Sequence, residues 1–297
     1  MTDREQITRP RADGADVAHP VEDGPPGELP LPQRFLHDGR AVAWGRAGSG
    51  PPLVLIHGTP FSSQVWRRIA PWLAPHRTLY WFDLLGYGRS EMAPGADVSL
   101  GVQNGLLAAL VRHWELDRPA VLAHDFGGAT ALRAMILDRL AVSRLTLVDP
   151  VAIAPWGSPF VQHVRRWQPA FAGLPDYAHA AMLRAYIQGA AHRPLDEAAM
   201  ATHARPWLSA GGKAGFYAQI AQMDQAHTDA IEPRLGEIGA PTTLLWGARD
   251  AWIPLSQGER LAGMIPGARL VPVPEAGHLV QEDAPESVVA AILSDRP

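Results

Sequence analysis

The run Ala123-His124-Asp125-Phe126-Gly127-Gly128 sets an aspartate between small residues where the apolar stretch "PAVLAHD" gives way to a helical pattern beginning at Gly127. Small residues two before and two after the aspartate suit a tight strand-to-helix elbow, which lifts the central side chain above a sheet and leaves no room for bulk beside it. A carboxylate with an ordinary pKa of about 4 is ionised at neutral pH and attacks without a base. It is a poor reagent toward esters and amides, because the anhydride it would form is less stable than its substrate. Toward a strained or activated saturated carbon it can displace a leaving group and become an ordinary ester. Water must then open that ester, and this second step needs a base. The bland alternative is a helix cap, since aspartate is a favoured N-cap residue; the two readings differ in where the carboxylate points.

Such an elbow needs a sheet beneath it, and the flanking sequence supplies one. From Leu31 onward short apolar runs alternate with helical patterns: "AVAWG", "PPLVLIHG", a helix around Gln64–Leu73, "RTLYWFDLLG", a helix around Leu100–Trp114, "PAVLAHD" and the helix from Gly127. That alternation implies parallel strands covered on both faces. After "SRLTLVDPV" it stops. Residues 152–234 carry mainly helical patterns, such as "DYAHAAMLRAYIQGA" and "AGFYAQIAQMDQ", before "PTTLLWGARD", a helix, "ARLVPVPEAG" and a last helix restore it. The expected organisation is an α/β core over 31–151 and 235–297, with a helical cap domain over 152–234 inserted after the sixth strand. Residues 1–30, rich in Pro, Gly and Asp, read as a disordered N-terminal arm. No internal repeat is present.

Composition narrows the partners. The chain has 297 residues, 47% hydrophobic and 19% charged, ordinary for a globular protein with a large core. A net charge of −4 and scattered lysines and arginines leave no basic footprint for nucleic acid. There is no cysteine, hence no disulfide or thiolate metal site. No apolar stretch reaches the roughly 18 residues of a membrane span, and the N-terminus lacks a signal-peptide core, so the reading is cytoplasmic. The histidines show no metal-ligand spacing, and Gly86 and Gly88 stand in no phosphate-binding pattern. No metal and no cofactor are expected; the expected partner is a small, largely apolar substrate.

Taken with its other motifs, the chain resembles the α/β-hydrolase fold over about 260 residues, Leu31 to Ser294, and its Asp125 resembles the epoxide-hydrolase and haloalkane-dehalogenase branch. The resemblance implies a mostly parallel eight-stranded sheet flanked by helices. His57-Gly58-Thr59-Pro60 matches the oxyanion loop after the third strand, with His57 shaping the loop, and Asp83-Leu84-Leu85-Gly86-Tyr87-Gly88-Arg89-Ser90 matches the turn after the fourth. Asp250 in "WGARDAWIP" and His278 in "EAGHLVQED" follow in the order nucleophile, acid, histidine. Asp149 in "LTLVDPVA" is the alternative acid, because some dehalogenases draw theirs from that strand end. The backbone N–H groups of Thr59 and Phe126 are the expected oxyanion donors.

Within that branch the leaving group decides the substrate. An epoxide becomes an alkoxide and needs an acidic hydroxyl, whereas a halide needs side-chain N–H donors. "AGFYAQI" resembles the segment carrying a ring-opening tyrosine, which nominates Tyr217, with Tyr186 and Tyr177 behind it. On the halide side, Thr59 replaces an expected Asn, Phe126 replaces the Trp that commonly follows the nucleophile, and Trp156 is the remaining N–H candidate. Epoxide hydrolysis is therefore the expected activity, with haloalkane or haloacid dehalogenation second. A nonhydrolytic binding protein on the same fold is the alternative of another class.

Overall fold

The computed structural model describes residues 27–294. Eight strands form one sheet: β1 (Gln33–His37), β2 (Arg40–Gly48), β3 (Pro52–Ile56), β4 (Thr78–Phe82), β5 (Ala120–His124), β6 (Arg144–Val148), β7 (Thr242–Gly247) and β8 (Arg269–Val273). Their order is β1-β2-β4-β3-β5-β6-β7-β8. Only β2 runs antiparallel to its neighbours; the rest pair in parallel. The β1–β2 hairpin turns on Asp38 and Gly39, both at positive φ (48° and 75°), the pairing that a two-residue hairpin loop favours. In β3, β5 and β6 all residues after the first are buried, as expected for strands covered on both faces.

The helices are α1 (Ala70–Leu73), α2 (Leu100–His113), α3 (Phe126–Leu137), α4 (Pro159–Ala172), α5 (Asp176–Gln188), α6 (Glu197–Leu208), α7 (Gly212–Ala221), α8 (Ala226–Asp229), α9 (Leu255–Met264), α10 (Val280–Asp283) and α11 (Pro285–Ser294). The helix expected over Gln64–Leu73 is instead two short pieces, a 3₁₀ turn at Ser63–Trp66 and α1. Pro71 explains the break, because it lacks the N–H a continuous helix would use and is tolerated only in a first turn.

Helices α4 to α8 all lie between β6 and β7. They meet the C-terminal edge of the sheet through specific bonds. Trp207 Nε1 donates to Pro60 O at 2.6 Å, and Thr59 Oγ1 donates to Gln219 Oε1 at 2.9 Å. His203 of α6 lies 2.8 Å from Glu282 of α10, which also binds Arg67.

Most of the segment read as a disordered arm lies outside the described residues. Its last residues do not follow that reading. Leu29 is buried and exchanges two hydrogen bonds with the Gln64 amide, at 2.8 and 3.0 Å, and Pro30 O accepts from Trp81 Nε1 at 2.9 Å. Apolar Leu29 and Leu31 find a core to bury in, which an estimate from local composition does not detect.

Candidate active site

Every candidate residue of the core follows the C-terminal end of a strand: Thr59 after β3, Asp125 after β5, Asp149 after β6, Asp250 after β7 and His278 after β8. Parallel pairing brings those ends to one edge, which is where open α/β sheets present their ligands. Asp125 sits at φ 50°, ψ −118°, a backbone conformation that costs on the order of 1–3 kcal/mol and persists only when its surroundings enforce it. Here they do. Asp125 N–H donates to Val148 O at 3.2 Å, and Asp125 O accepts from Gly128 and Val151 at 2.9 and 3.1 Å. The small neighbours are required: a Cβ on Gly127 would lie 2.5 Å from Ile56 O, one on Gly128 would lie 2.5 Å from Pro150 Cβ, and one on Gly58 would collide with the Asp125 carboxylate.

Although Asp125 occupies the N-cap position of α3, its side chain makes no capping bond. Its Oδ1 instead accepts from Thr59 N–H at 2.7 Å, and its Oδ2 lies 3.4 Å from His278 Nε2. The helix-cap alternative is excluded by that direction. Phe126 N–H is the first of the N-terminal amides that α3 cannot pair internally. His278 Nδ1 is 2.8 Å from Asp250 Oδ2, while Asp250 Oδ1 accepts from Trp252 and Ile253 N–H at 2.7 and 2.9 Å. Asp149 makes no bond to His278 and instead accepts from Gly247 N–H through Oδ1 at 2.8 Å.

These contacts set the charges. Burial disfavours a charged His278, but Asp250 and Asp125 outweigh it and hold its pKa well above the usual histidine range. Burial likewise opposes ionisation of Asp250, yet His278 and the two N–H donors pull its pKa below the ordinary value. His124, packed 4.8 Å from the His278 ring, is pushed down to about 3 by burial and by the His278 charge. It therefore stays neutral, and its Nε2–H donates to His278 O at 3.0 Å. His57 is a loop residue as expected: its Nδ1 lies 2.9 Å from Gly58 O and its Nε2 accepts from Leu84 N–H at 2.9 Å. Among the described residues, Asp149, Asp250 and His278 form the one group of three His, Asp or Glu side chains that bring one nitrogen or oxygen each within 4.8 Å of the others. Several of these side-chain atoms serve hydrogen bonds within the group or with backbone N–H groups.

Above Asp125 lies a cleft of about 360 Å³ including its mouth, lined by Thr59, Phe126, Trp156, Tyr186 and Trp252 with Val151, Val161, Met223 and Ile253. Its apolar walls around a single carboxylate suit a small molecule with one reacting polar centre. Tyr186 stacks on Trp252, ring centroids 4.6 Å apart, and Trp252 in turn lies 5.0 Å from His278. Burial, with Asp125 and Tyr87 nearby, pushes the Tyr186 pKa well up, so its hydroxyl keeps its proton and can donate.

The other lid candidates are displaced. Tyr217 is buried outside the cleft, its hydroxyl 3.0 Å from His179 Nδ1 and its ring against Phe171 and Phe216. Tyr177 is 80% exposed. Trp156 lines the cleft, but its indole N–H is committed to Thr228 Oγ1 at 2.7 Å. The failure at Tyr217 has a helical cause: two residues on, about 200° around the helix, Gln219 is the side chain that α7 turns toward Thr59. Gln219 Oε1 accepts from Thr59 Oγ1 and from Tyr87 OH, both at 2.9 Å. Sequence reasoning missed Gln219, Tyr87 and Trp252. Only Trp252 had a local signal, its place two residues after Asp250; the other two are joined by tertiary contact alone.

The comparisons agree with this architecture. A family model described as alpha/beta hydrolase fold matches residues 51–285. Haloalkane dehalogenase 2 of Mycobacterium tuberculosis is 28% identical over 282 residues, covering 90% of this chain and 96% of that protein. The crystal structure of an alpha/beta hydrolase fold protein from Burkholderia ambifaria is 56% identical with a TM-score of 0.88, over 90% of this chain and 98% of that one. An epoxide hydrolase structure, 24% identical with a TM-score of 0.70, covers 88% of this chain and 96% of its own and shares the fold.

Proposed function

The chain belongs to the α/β-hydrolase fold family, and we propose that it hydrolyses bonds at saturated carbon through an ester on Asp125, with epoxides as the substrate class. The observation that carries this reading is the Asp125 carboxylate itself, an elbow side chain turned to Thr59 N–H and His278 rather than to its own helix. Oδ1 is already seated on an N–H donor, so Oδ2 is the attacking oxygen. Its lone pair displaces the leaving group and forms the Cγ–Oδ2–alkyl ester.

Esterification removes the Asp125 charge and with it part of the hold on the His278 proton. His278 gives up that proton, which balances the one taken by the alkoxide of an opened epoxide. The neutral ring then deprotonates water as it attacks Cγ. The resulting oxyanion forms on Oδ1, beside the N–H groups of Thr59 and Phe126. Collapse breaks Cγ–Oδ2, the alcohol leaves with the proton held by His278, and Asp125 is regenerated carrying an oxygen from water. Asp250 holds the imidazole in its tautomer and offsets its charge throughout.

Tyr186 now supports the epoxide assignment in place of Tyr217, because it lines the cleft with an un-ionised hydroxyl. The dehalogenase reading is favoured by the Mycobacterium relative. Against it, Thr59 and Phe126 supply no side-chain N–H and the Trp156 indole is already engaged. Epoxides, haloalkanes, haloacids and aryl esters assayed for diol, halide, acid and phenol decide between them; diol is expected. In parallel, His278→Gln mixed with a turned-over substrate should gain one alkyl mass, and Asp125→Ala none. An active Asp125→Ala variant, or no adduct on His278→Gln, sinks the ester scheme; no turnover of any panel substrate by the unaltered protein would favour a binding role.

A further inference from the structure

Asp149 has no task in that reading, yet it is enclosed beside the groups that do. Its Oδ1 accepts from Gly247 N–H, while its Oδ2 is buried with no donor reaching it. One oxygen of Asp149, one of Asp250 and a ring nitrogen of His278 lie within 4.8 Å of one another. With every acid ionised, three buried carboxylates, Asp125, Asp149 and Asp250, would face a single imidazolium, and like charges so close in a dry site do not all ionise. His124, the other titratable ring against His278, is neutral and offsets nothing.

We propose that Asp149 carries a proton and donates it to Asp250, so that the two acids share one negative charge and Asp149 acts as a positioning residue for His278. The donated bond occupies the otherwise unpartnered Asp149 oxygen and gives Asp250 a further partner besides His278 and its two N–H donors. It also draws charge from Asp250, which weakens the grip on the His278 proton and leaves that ring more able to become a base. Burial and the Asp250 charge both push the Asp149 pKa well above the carboxylate range, in agreement.

The proposal rests on the assignment of His278 as base, but its test needs no substrate. The His278 ring is titrated by nitrogen-15 NMR and the aspartate carboxyls by carbon-13 NMR, in the full chain. Asp149 lies at φ 42°, which asparagine tolerates, so Asp149→Asn leaves the backbone unstrained. Replacing a neutral acid with a neutral amide should leave the His278 midpoint within a few tenths of a unit. Asp149→Ala deletes the donor and should raise that midpoint by about half a unit or more. An ionised Asp149 would produce the opposite, a fall in both variants as a negative charge is lost, and would overturn the proposal. So would a wild-type carbon-13 spectrum without any aspartate carboxyl still protonated at neutral pH, a measurement that requires no variant to fold. Failure to turn over any of the panel substrates would count against the proposed activity and would not alter these spectra.

Discussion

Exchanging Tyr186 for phenylalanine keeps the ring stacked on Trp252 and removes one proton donor facing the cleft. Ester formation from an epoxide should slow by about 10²-fold, the range expected for loss of a general acid, while ester hydrolysis changes little. Rapid mixing followed by intact-mass measurement separates the two steps; an unchanged first step removes Tyr186 from the mechanism. Tyr217→Phe should behave differently, because that hydroxyl serves His179 rather than the cleft. It leaves a buried ring nitrogen without its partner and should lower stability by about 1–3 kcal/mol in denaturant unfolding, with the first chemical step intact. For the acids, Asp250→Asn should depress kcat far more than Asp149→Asn, since only Asp250 bonds His278. The reverse ranking in folded variants would move the triad acid to the end of β6.

At the scale of elements, α6 and α10 are joined by His203 and Glu282, with Arg67 completing the cluster. Burial disfavours the Glu282 carboxylate, but His203 and then Arg67 more than compensate and depress its pKa from 4.5 to about 2. A depressed acid stabilises the fold fully above its unfolded pKa, and the contribution is lost as pH falls through the folded value. The stabilisation is therefore complete above about pH 4.5 and disappears toward pH 2, amounting to about 3 kcal/mol at neutral pH. Glu282→Gln should cost stability of that order at pH 7 and progressively less below pH 4.5. A penalty that stays constant across that range would mean that packing, not charge, makes this contact.

Across the whole molecule, the helices between β6 and β7 reach the C-terminal edge of the sheet through Gln219, whose carbonyl oxygen holds the hydroxyls of Thr59 and Tyr87 at once. Thr59 also donates its backbone N–H to Asp125, so those helices and the elbow meet in one residue. Gln219→Leu strands two buried hydroxyls and should destabilise the protein by about 2 kcal/mol. It should also slow ester hydrolysis more than ester formation, because the oxyanion donor is displaced while Oδ2 of Asp125 is not. The measurement is the amount of alkyl-enzyme present at steady state, expected to rise in the variant. Equal slowing of both steps would place the effect in substrate binding instead.

What the sequence by itself determined was whatever is written in short segments: the alternation that makes a parallel sheet, the small residues that make the Asp125 elbow, and the order of Asp125, Asp250 and His278 along the chain. Each depends on a few neighbouring residues, because an elbow, a buried strand and a strand-end loop are local solutions to local sterics. Tertiary structure alone decided which tyrosine faces the cleft, because a helix turns its side chains by about 100° per residue and a segment match does not fix its rotation against the core. It also decided where Leu29 and Pro30 pack, why Trp156 has no N–H to spare, and that Asp149 lies against Asp250 rather than in its place. Those outcomes join residues from 35 to 101 positions apart, and their partners are chosen by how buried polar groups can be paired once the layers have closed.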